Sequence, residues 1–161
     1  MAQDMFLKIE GIEGESLDAT HKNEIEVLAW SWENRQHSNM HSGSGGGSGK
    51  ATVEDFKFSH YVDKASPNLL NFCLSGKHIK NIQFVIRKAG GDPLEYLTIA
   101  FSDAIITRVF LSGNVSNDTR PIEEVTFSFT KFTQDYVIQN AEGNKSGIIS
   151  ASYDIKANQK N

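Results

Sequence analysis

The sequence predicts a mainly β fold, a single barrel or sandwich of antiparallel strands with one short flanking helix. Two observations support this prediction. Apolar and polar residues alternate with a period of two along most of the chain, and glycine, asparagine or aspartate separates the alternating segments. Strands of this kind bury one face and expose small polar groups on the other. The predicted strands are residues 5–12, 24–32, 52–61, 79–88, 96–102, 104–111, 125–130 and 148–155.

The helix is predicted at about residues 67–75, where the alternation breaks. Ser66 is placed to cap its N-terminus, Pro67 suits the first helical position, and Gly76 is placed to end it. The apolar stripe of this helix has to be covered, so we expect the helix to pack against one side or one end of the β-structure. The stripe consists of Leu69, Leu70, Cys73 and Leu74.

Length and charge limit the class of protein. The 161 residues, of which 39% are hydrophobic and ten are phenylalanine, suffice for one core, so residues 1–161 are predicted to form a single domain. The net charge of −4 is spread along the chain without a positive stripe, which argues against nucleic acid as a partner. A lone cysteine, Cys73, excludes an intramolecular disulfide.

The N-terminal segment predicts a strand rather than a targeting signal. Asp4 stands where a signal peptide would carry basic residues, and the apolar residues alternate with polar ones. No apolar run approaches the roughly eighteen residues of a membrane helix, so no membrane insertion is expected. The sequence therefore predicts a soluble protein that is made in the cytoplasm and needs a dedicated machine if it is exported.

Residues 42–49 form a glycine-serine tract. Its end, Gly49-Lys50, is similar to part of a phosphate-binding loop, but Ser44 replaces the first glycine of that motif and Ala51 replaces its hydroxyl residue. A strand pattern follows the tract, whereas a phosphate-binding loop opens a helix. An interdomain linker is also excluded, because the roughly forty preceding residues cannot bury a core of their own. We interpret the tract as an extended glycine-rich loop.

No constellation of residues indicates catalysis or metal binding. His37 and His41 would chelate a metal only on a helix, which the neighbouring glycines disfavour. The two pairs of adjacent acids, Glu54-Asp55 and Glu123-Glu124, are not a catalytic dyad, because adjacent residues point to opposite faces of a strand and cannot converge on one bond. We therefore predict no enzymatic activity, no metal and no cofactor. The remaining histidines, expected to form local hydrogen bonds near turns, are His21, His60 and His78.

Two tryptophans admit two interpretations. Trp30 and Trp32 share one face of a predicted strand, and Leu28 continues that face, which favours an apolar wall of the core. Tryptophans in this arrangement could instead stack on sugar rings, so a secreted carbohydrate-binding β-sandwich is the alternative. Under the first interpretation, Ser31 points away from the core together with Ala29.

The residues also resemble a known family, the haemolysin-coregulated proteins (Hcp) of bacterial type VI secretion, from end to end. The segments that carry the resemblance are Asp4 to Ile9, Gly14 to Ser16, His21, Glu24 to Trp32, Gly49-Lys50, Lys64, Ser66 to Leu69, Ser75 to His78, Ile86 to Gly91 and Glu95 to Leu97. Each segment alone is weakly specific, whereas their order and spacing together are highly specific.

The resemblance implies a tube subunit. It implies six copies closed into a ring, rings stacked into a tube that a contractile sheath expels, contacts with a tip spike protein and baseplate, and effector proteins held in the lumen. It also implies export without a cleaved signal peptide. Within this interpretation, Ser31 is the candidate residue facing the lumen and cargo. The candidate ring-stacking residues are Ser42, Gly43, Ser44, Gly45, Gly46, Gly47, Ser48 and Gly49.

Overall fold

The computed structural model describes residues 3–41, 48–90, 93–115 and 120–160, and confirms the predicted mainly β architecture. The elements in chain order are β1 (Gln3–Ile9), β2 (Ile25–Glu26), β3 (Ala29–Ser31), β4 (Asn34–Ser38), β5 (Ser48–Val53), β6 (Phe56–Tyr61), α1 (Ser66–Ser75), β7 (Ile79–Lys88), β8 (Glu95–Ser112), β9 (Ile122–Gln139), β10 (Lys145–Asp154) and β11 (Gln159–Lys160). Every strand pairing is antiparallel.

One large sheet organises the molecule. Its order is β11-β10-β9-β8-β7-β1-β2, and β6 and β3 branch from β9. The two strands β8 and β9 are each 18 residues long, and β9 pairs with β6 through its first part and with β10 through its last part. The sheet therefore divides at the middle of β9, with β6 and β3 on one arm and β10 and β11 on the other.

Residues 25–31 connect strand β1 with strand β6. β2 pairs with β1, and the next residues continue the contact through a hydrogen bond of 2.9 Å from Val27 N to Met5 O. Leu28 N then donates to Ser59 O at 2.8 Å, and β3 pairs with β6. The sheet thus curls around a shared core.

The prediction of a single strand in this segment was wrong. Residues 24–32 were expected to form one strand with Leu28 on the face of the two tryptophans, but the strand breaks at residues 27–28 and Leu28 is 41% exposed. The break lets the chain change its strand partner from β1 to β6. The alternation of buried and exposed side chains shifts by one residue at the break. Residues 52–61 divide in the same way, into β5 and β6.

The core is aromatic at its centre. Phe56 is fully buried, and its ring contacts five other rings, which ties β6 to β3 and to the long strands β7, β8 and β9. These rings belong to Trp30, Trp32, Phe84, Phe101 and Phe127.

Helix α1 was predicted at about residues 67–75 and extends one residue further, from Ser66. The capping residue is Ala65 rather than Ser66, and the Ser66 hydroxyl instead accepts a hydrogen bond from Asp63 N (3.1 Å). Gly76 adopts φ 63° and ends the helix as expected. Leu69 is fully buried in the core, whereas Leu70 and Leu74 remain exposed.

The flanks of the glycine-rich tract are more regular than the predicted loop. β4 and β5 pair into an antiparallel ribbon, with Asn34 opposite Val53 and Ser38 opposite Ser48. All five residues of β4 are exposed, and the ribbon forms a separate two-stranded sheet. The ribbon therefore projects from the core at the position where Trp32 anchors the chain.

Candidate functional site

The candidate site is the outward surface of β3 and β6 around Ser31. Ser31 is exposed, as is Ala29, while Trp30 between them faces the core, so the predicted alternation is confirmed. Ser31 lies opposite Lys57 of β6, and Lys57 lies opposite Thr126 of β9. A band of small and charged side chains therefore crosses this arm of the sheet.

Two shallow depressions meet at Ser31. One has a volume of about 380 Å³, and Ser31, Trp32, Lys57 and Thr126 are among the residues that line it together with the acidic residues Glu33, Glu54 and Asp55. The other has a volume of about 240 Å³ and extends along Ala29 and Ser59 to Glu124. The surface can thus accept a polar side chain of a partner protein beside Ser31.

The charges around the first depression are partly paired. Arg35 Nη2 lies 2.6 Å from Glu54 Oε1, and Arg35 Nε lies 3.7 Å from Glu33 Oε1. The Thr107 hydroxyl donates to Asp55 Oδ2 at 3.0 Å. Since these groups are solvent-exposed, their pairing orients the side chains more than it stabilises the fold.

Thr126 lies on the same face as Ser31 and Lys57 but is largely covered. It is 5% exposed, and its hydroxyl has no hydrogen-bond partner among the described residues. Its neighbours in the adjoining strands, Lys57 and Arg108, have longer side chains that flank it on both sides.

The tryptophans form a wall of the core, as predicted. Trp30 stacks on Phe56 at 5.8 Å between ring centroids, and Trp32 meets Phe132 edge-on at 4.8 Å. The Trp32 indole N–H donates to the backbone carbonyl oxygen of Glu54 at 3.0 Å. Both rings pack against phenylalanines of the core, which favours the core interpretation over carbohydrate binding.

The predicted ring-stacking residues lie mostly outside the described residues. Ser42, Gly43, Ser44, Gly45, Gly46 and Gly47 are in this group, whereas Ser48 and Gly49 begin β5. Gly49 lies next to His37 where the register of the ribbon shifts, and a Cβ atom at position 49 would be 3.5 Å from the His37 Cβ. The described end of the tract is thus part of a strand.

A buried ion pair was missed by sequence reasoning. His60 is fully buried, and its Nε2 lies 3.2 Å from Oε1 of Glu123, which is 2% exposed. Its Nδ1 lies 3.7 Å from Asp63 Oδ2, too far for a hydrogen bond. Burial disfavours the charged imidazolium, but the carboxylates of Asp63 and Glu123 outweigh burial and raise the pKa of His60 to about 9.

This pKa shift predicts a pH dependence of stability. Because the folded pKa of His60 lies above the ordinary value of 6.5, the stabilisation is complete below about pH 6.5 and is lost as the pH rises through 9. We expect the urea midpoint of unfolding to fall between pH 6.5 and pH 9.5. A His60→Gln variant, which cannot titrate at this position, should lose most of that dependence, and an unchanged slope in the variant would contradict the assignment.

A second polar cluster fastens residues 13–24 to the sheet. His21 stacks on Phe6 with 4.3 Å between ring centroids, and its ring nitrogens lie 2.9 Å from Glu24 and 2.6 Å from Glu95. The bond to Glu24 is local, as predicted, whereas that to Glu95 crosses to β8.

Arg87 holds the same segment from β7. Its Nη2 lies 2.6 Å from Asp18 and 3.0 Å from Asp4, and the hydrogen bond to Arg87 holds the pKa of the Asp18 carboxyl well below its usual range. Gly14 in this segment has no room for a side chain, because a Cβ atom would lie 2.5 Å from Glu24 O. The glycine and the ion pairs together fix the path of the segment.

The described residues offer no set of three or more His, Cys, Asp or Glu side chains placed to hold a metal ion. The one helix in the described part of the chain, α1, is too short to cross a membrane.

Comparison with known proteins identifies the family. The family model described as type VI secretion system effector, Hcp, matches residues 6–136. The chain belongs to the Hcp family. Protein hcp1 of Pseudomonas aeruginosa is 47% identical over 148 residues, which cover 91% of each chain.

Two solved structures show the same fold. A type VI secretion system effector from Yersinia pestis is 60% identical, with a TM-score of 0.78 over 94% of this chain and 99% of that one. Hcp1 from Salmonella typhimurium is 46% identical, with a TM-score of 0.81 over the whole of both chains. The resemblance inferred from sequence is confirmed, and the chain is a type VI secretion protein of the Hcp family.

Proposed function

We propose that this Hcp protein is the structural subunit of a type VI secretion tube, without catalytic activity. Six copies close into a ring, rings stack into the tube, and a contractile sheath expels the tube from the cell. Membership of the Hcp family, with similarity over the whole chain, carries the proposal. Its partners are further copies of itself, the sheath, the tip spike protein, the baseplate and effector proteins.

The surface around Ser31 supports a role in holding cargo. Ser31 and Ala29 are small and exposed, and the charged residues Lys57 and Glu124 border the depressions beside them. Small side chains on an exposed sheet let another protein approach the backbone closely. We assign this surface to the ring lumen, where effectors are held before export. As a tube subunit, the protein is cytoplasmic until the tube is fired and extracellular afterwards.

The projecting ribbon supports a role in stacking. β4 and β5 extend from the core, and the glycine-rich tract at residues 42–49 connects them. Glycine allows the tract to adopt the backbone angles that an adjacent ring demands, while ordering it costs roughly 1–2 kcal/mol per residue. Stacking contacts made through the tract are therefore individually weak.

Negative-stain electron microscopy and mass measurement test the proposal. Purified protein should show rings of six subunits, and conditions that favour stacking should produce tubes. A variant shortened by residues 43–48 should keep rings and lose tubes. A protein that remains monomeric at high concentration would refute the tube function, whereas tubes formed by the shortened variant would refute only the stacking role.

A Ser31→Arg substitution tests the cargo surface. The side chain is exposed, so the thermal midpoint should change by no more than a few degrees. A bulky cation in the lumen should reduce the amount of a co-expressed effector that co-purifies with rings by at least about tenfold, equivalent to ~1.4 kcal/mol. Ser75→Arg, on the exposed C-terminal turn of α1, is the control and should leave retention unchanged. Equal retention in both variants would argue against a lumenal Ser31.

A further inference from the structure

The larger of the two depressions beside Ser31 is acidic, and we call it the acidic depression. The carboxylates of Glu33, Glu54 and Asp55 line it, and Lys57 is the one cation among the residues of its lining. Its volume of about 380 Å³ lies within the range of pockets that hold a ligand. Negative charge therefore predominates in a space that is large enough for a long side chain of another protein.

The backbone holds the acidic wall of this depression in place. Glu54 N donates to Glu33 O at 3.1 Å, and Glu54 O accepts a hydrogen bond from the Trp32 indole N–H at 3.0 Å. The carboxylate of Asp55 is positioned separately by the Thr107 hydroxyl at 3.0 Å. Because this wall is formed before a ligand arrives, binding requires little ordering of the protein.

A guanidinium group already contacts this wall. Arg35, on β4, places its Nη2 2.6 Å from Glu54 Oε1 and its Nε 3.7 Å from Glu33 Oε1. The Arg35 side chain is 61% exposed, and ion pairs at such exposed positions contribute little to stability. The two acids are thus arranged to bind a guanidinium, and an incoming one can replace that of Arg35 at low cost.

A buried hydroxyl without a partner lies in the same depression. Thr126 is 5% exposed, and its Oγ1 has no hydrogen-bond partner among the described residues. Lys57, beside it on β6, is exposed and forms no ion pair within the described part of the chain, so its flexible side chain can turn aside. A buried hydroxyl without a partner is destabilising, and a ligand N–H that reaches it removes that cost.

We propose that the acidic depression binds an arginine side chain of the effector held in the lumen. The guanidinium takes the place of Arg35 on Glu54 and Glu33. Its remaining N–H groups reach Asp55 and Thr126. Arginine suits the site better than lysine, because the planar guanidinium presents its N–H donors in a rigid fork that matches carboxylates. The inference rests on the proposed tube function and adds to it the chemistry that the lumen recognises.

The proposed ring repeats the acidic depression in every copy. An effector with several exposed arginines can therefore contact several copies at once. Such multivalent binding makes retention much firmer than a single weak site allows. The lumen is thus expected to favour effectors with a basic surface.

Isothermal titration calorimetry with two short peptides tests the role of charge. The probes are a tri-arginine peptide with blocked ends and the matching tri-citrulline peptide, in which a neutral urea group of nearly the same size replaces each guanidinium. Tri-arginine should bind at least about tenfold more tightly, because citrulline lacks the charge that strengthens hydrogen bonds to carboxylates. Its affinity should also fall as the salt concentration rises. Equal affinities of the two peptides would overturn the proposal.

Substitutions locate the binding on the protein. The double variant Glu54→Gln/Asp55→Asn keeps oxygen acceptors and removes both charges, so it should weaken tri-arginine binding by at least about tenfold. Arg35→Gln removes the competing guanidinium and should strengthen binding by roughly threefold. Glu10→Gln, in a separate depression lined by residues of β1 and β7, is the control and should bind tri-arginine like the unaltered protein. Unchanged binding by the double variant would exclude the acidic depression as the site.

Thr126→Val separates binding from a structural role. It removes the unpartnered hydroxyl with almost no change in shape, so the thermal midpoint should stay the same or rise. Tri-arginine binding should nevertheless weaken by roughly threefold, as expected for the loss of one hydrogen bond. An affinity equal to that of the unaltered protein would overturn the part assigned to Thr126.

The acidic depression lies within one chain, so the titrations decide the arginine site whether or not rings form. A monomeric protein that binds tri-arginine through Glu54 and Asp55 would refute the tube function, and with it the effector as the occupant, but would support the arginine site. Rings that bind both peptides equally would refute the arginine site and leave the tube function standing.

Discussion

Replacing His60 with leucine should lower the free energy of unfolding by about 3–5 kcal/mol, because it leaves the carboxylate of Glu123 buried without its partner. Glu123 is 2% exposed and lies 3.2 Å from His60 Nε2. Removing one member of a buried ion pair leaves a charge that neither water nor a counter-ion stabilises. Urea unfolding at pH 6.5, monitored by tryptophan fluorescence, measures the loss.

A double variant separates the ion pair from the packing at this position. Replacing both His60 and Glu123 with leucine removes the unpaired charge, so most of the lost stability should return. Glu124→Leu is the control, because Glu124 pairs with Arg108 at the surface and should contribute no more than about 1 kcal/mol. A double variant as unstable as His60→Leu would show that the defect arises from packing and not from charge.

Replacing Trp32 with alanine should lower the free energy of unfolding by about 3 kcal/mol. The indole packs against four phenylalanine rings and donates a hydrogen bond to Glu54 O, so the substitution opens a cavity between β6 and the long strands β8 and β9. These rings are Phe56, Phe101, Phe129 and Phe132. Thermal melting followed by circular dichroism measures the change.

Trp32→Phe is the matched variant. It keeps an aromatic ring in the cavity and removes the indole N–H, so its loss should be nearer 1 kcal/mol. The alanine variant should also release the β4–β5 ribbon from its anchor, and amides of β4 should exchange faster in it than in the phenylalanine variant. Equal stabilities of the two variants would show that Trp32 contributes little through packing.

Local alternation predicted most strands but not where they change partners. Residues 24–32 alternate on both sides of the break at residues 27–28, and only the long-range pairing with β1 and then β6 shows why the phase shifts there. The second part of β9 was not predicted, because Gln134 interrupts the apolar face that Phe132, Tyr136 and Ile138 share, and Val137 lies on the other face. An interrupted alternation weakens the hydrophobic signal on which the prediction depends.

The sequence likewise predicted only the local features of the candidate site. Ser31 was predicted to be exposed because Trp30 and Trp32 flank it in a strand, which is a local inference. His60 and Glu123 are 63 residues apart, and no local spacing indicates that they meet. Only the pairing of β6 with β9 brings them together.

The position of β9 in the sheet also determines when the chain can fold during synthesis. β6 and the second half of β8 both depend on β9 as a neighbour, and β9 begins at Ile122. Until the ribosome has released residues 122–139, β6 lacks its strand partner β9, and Phe56 and Phe58 lack their contacts with Phe127. Long-range pairing of this kind slows folding and leaves apolar surface open to aggregation in the meantime. A nascent chain of this protein therefore keeps one edge of β6 and of β8 unpaired until most of its length has been translated.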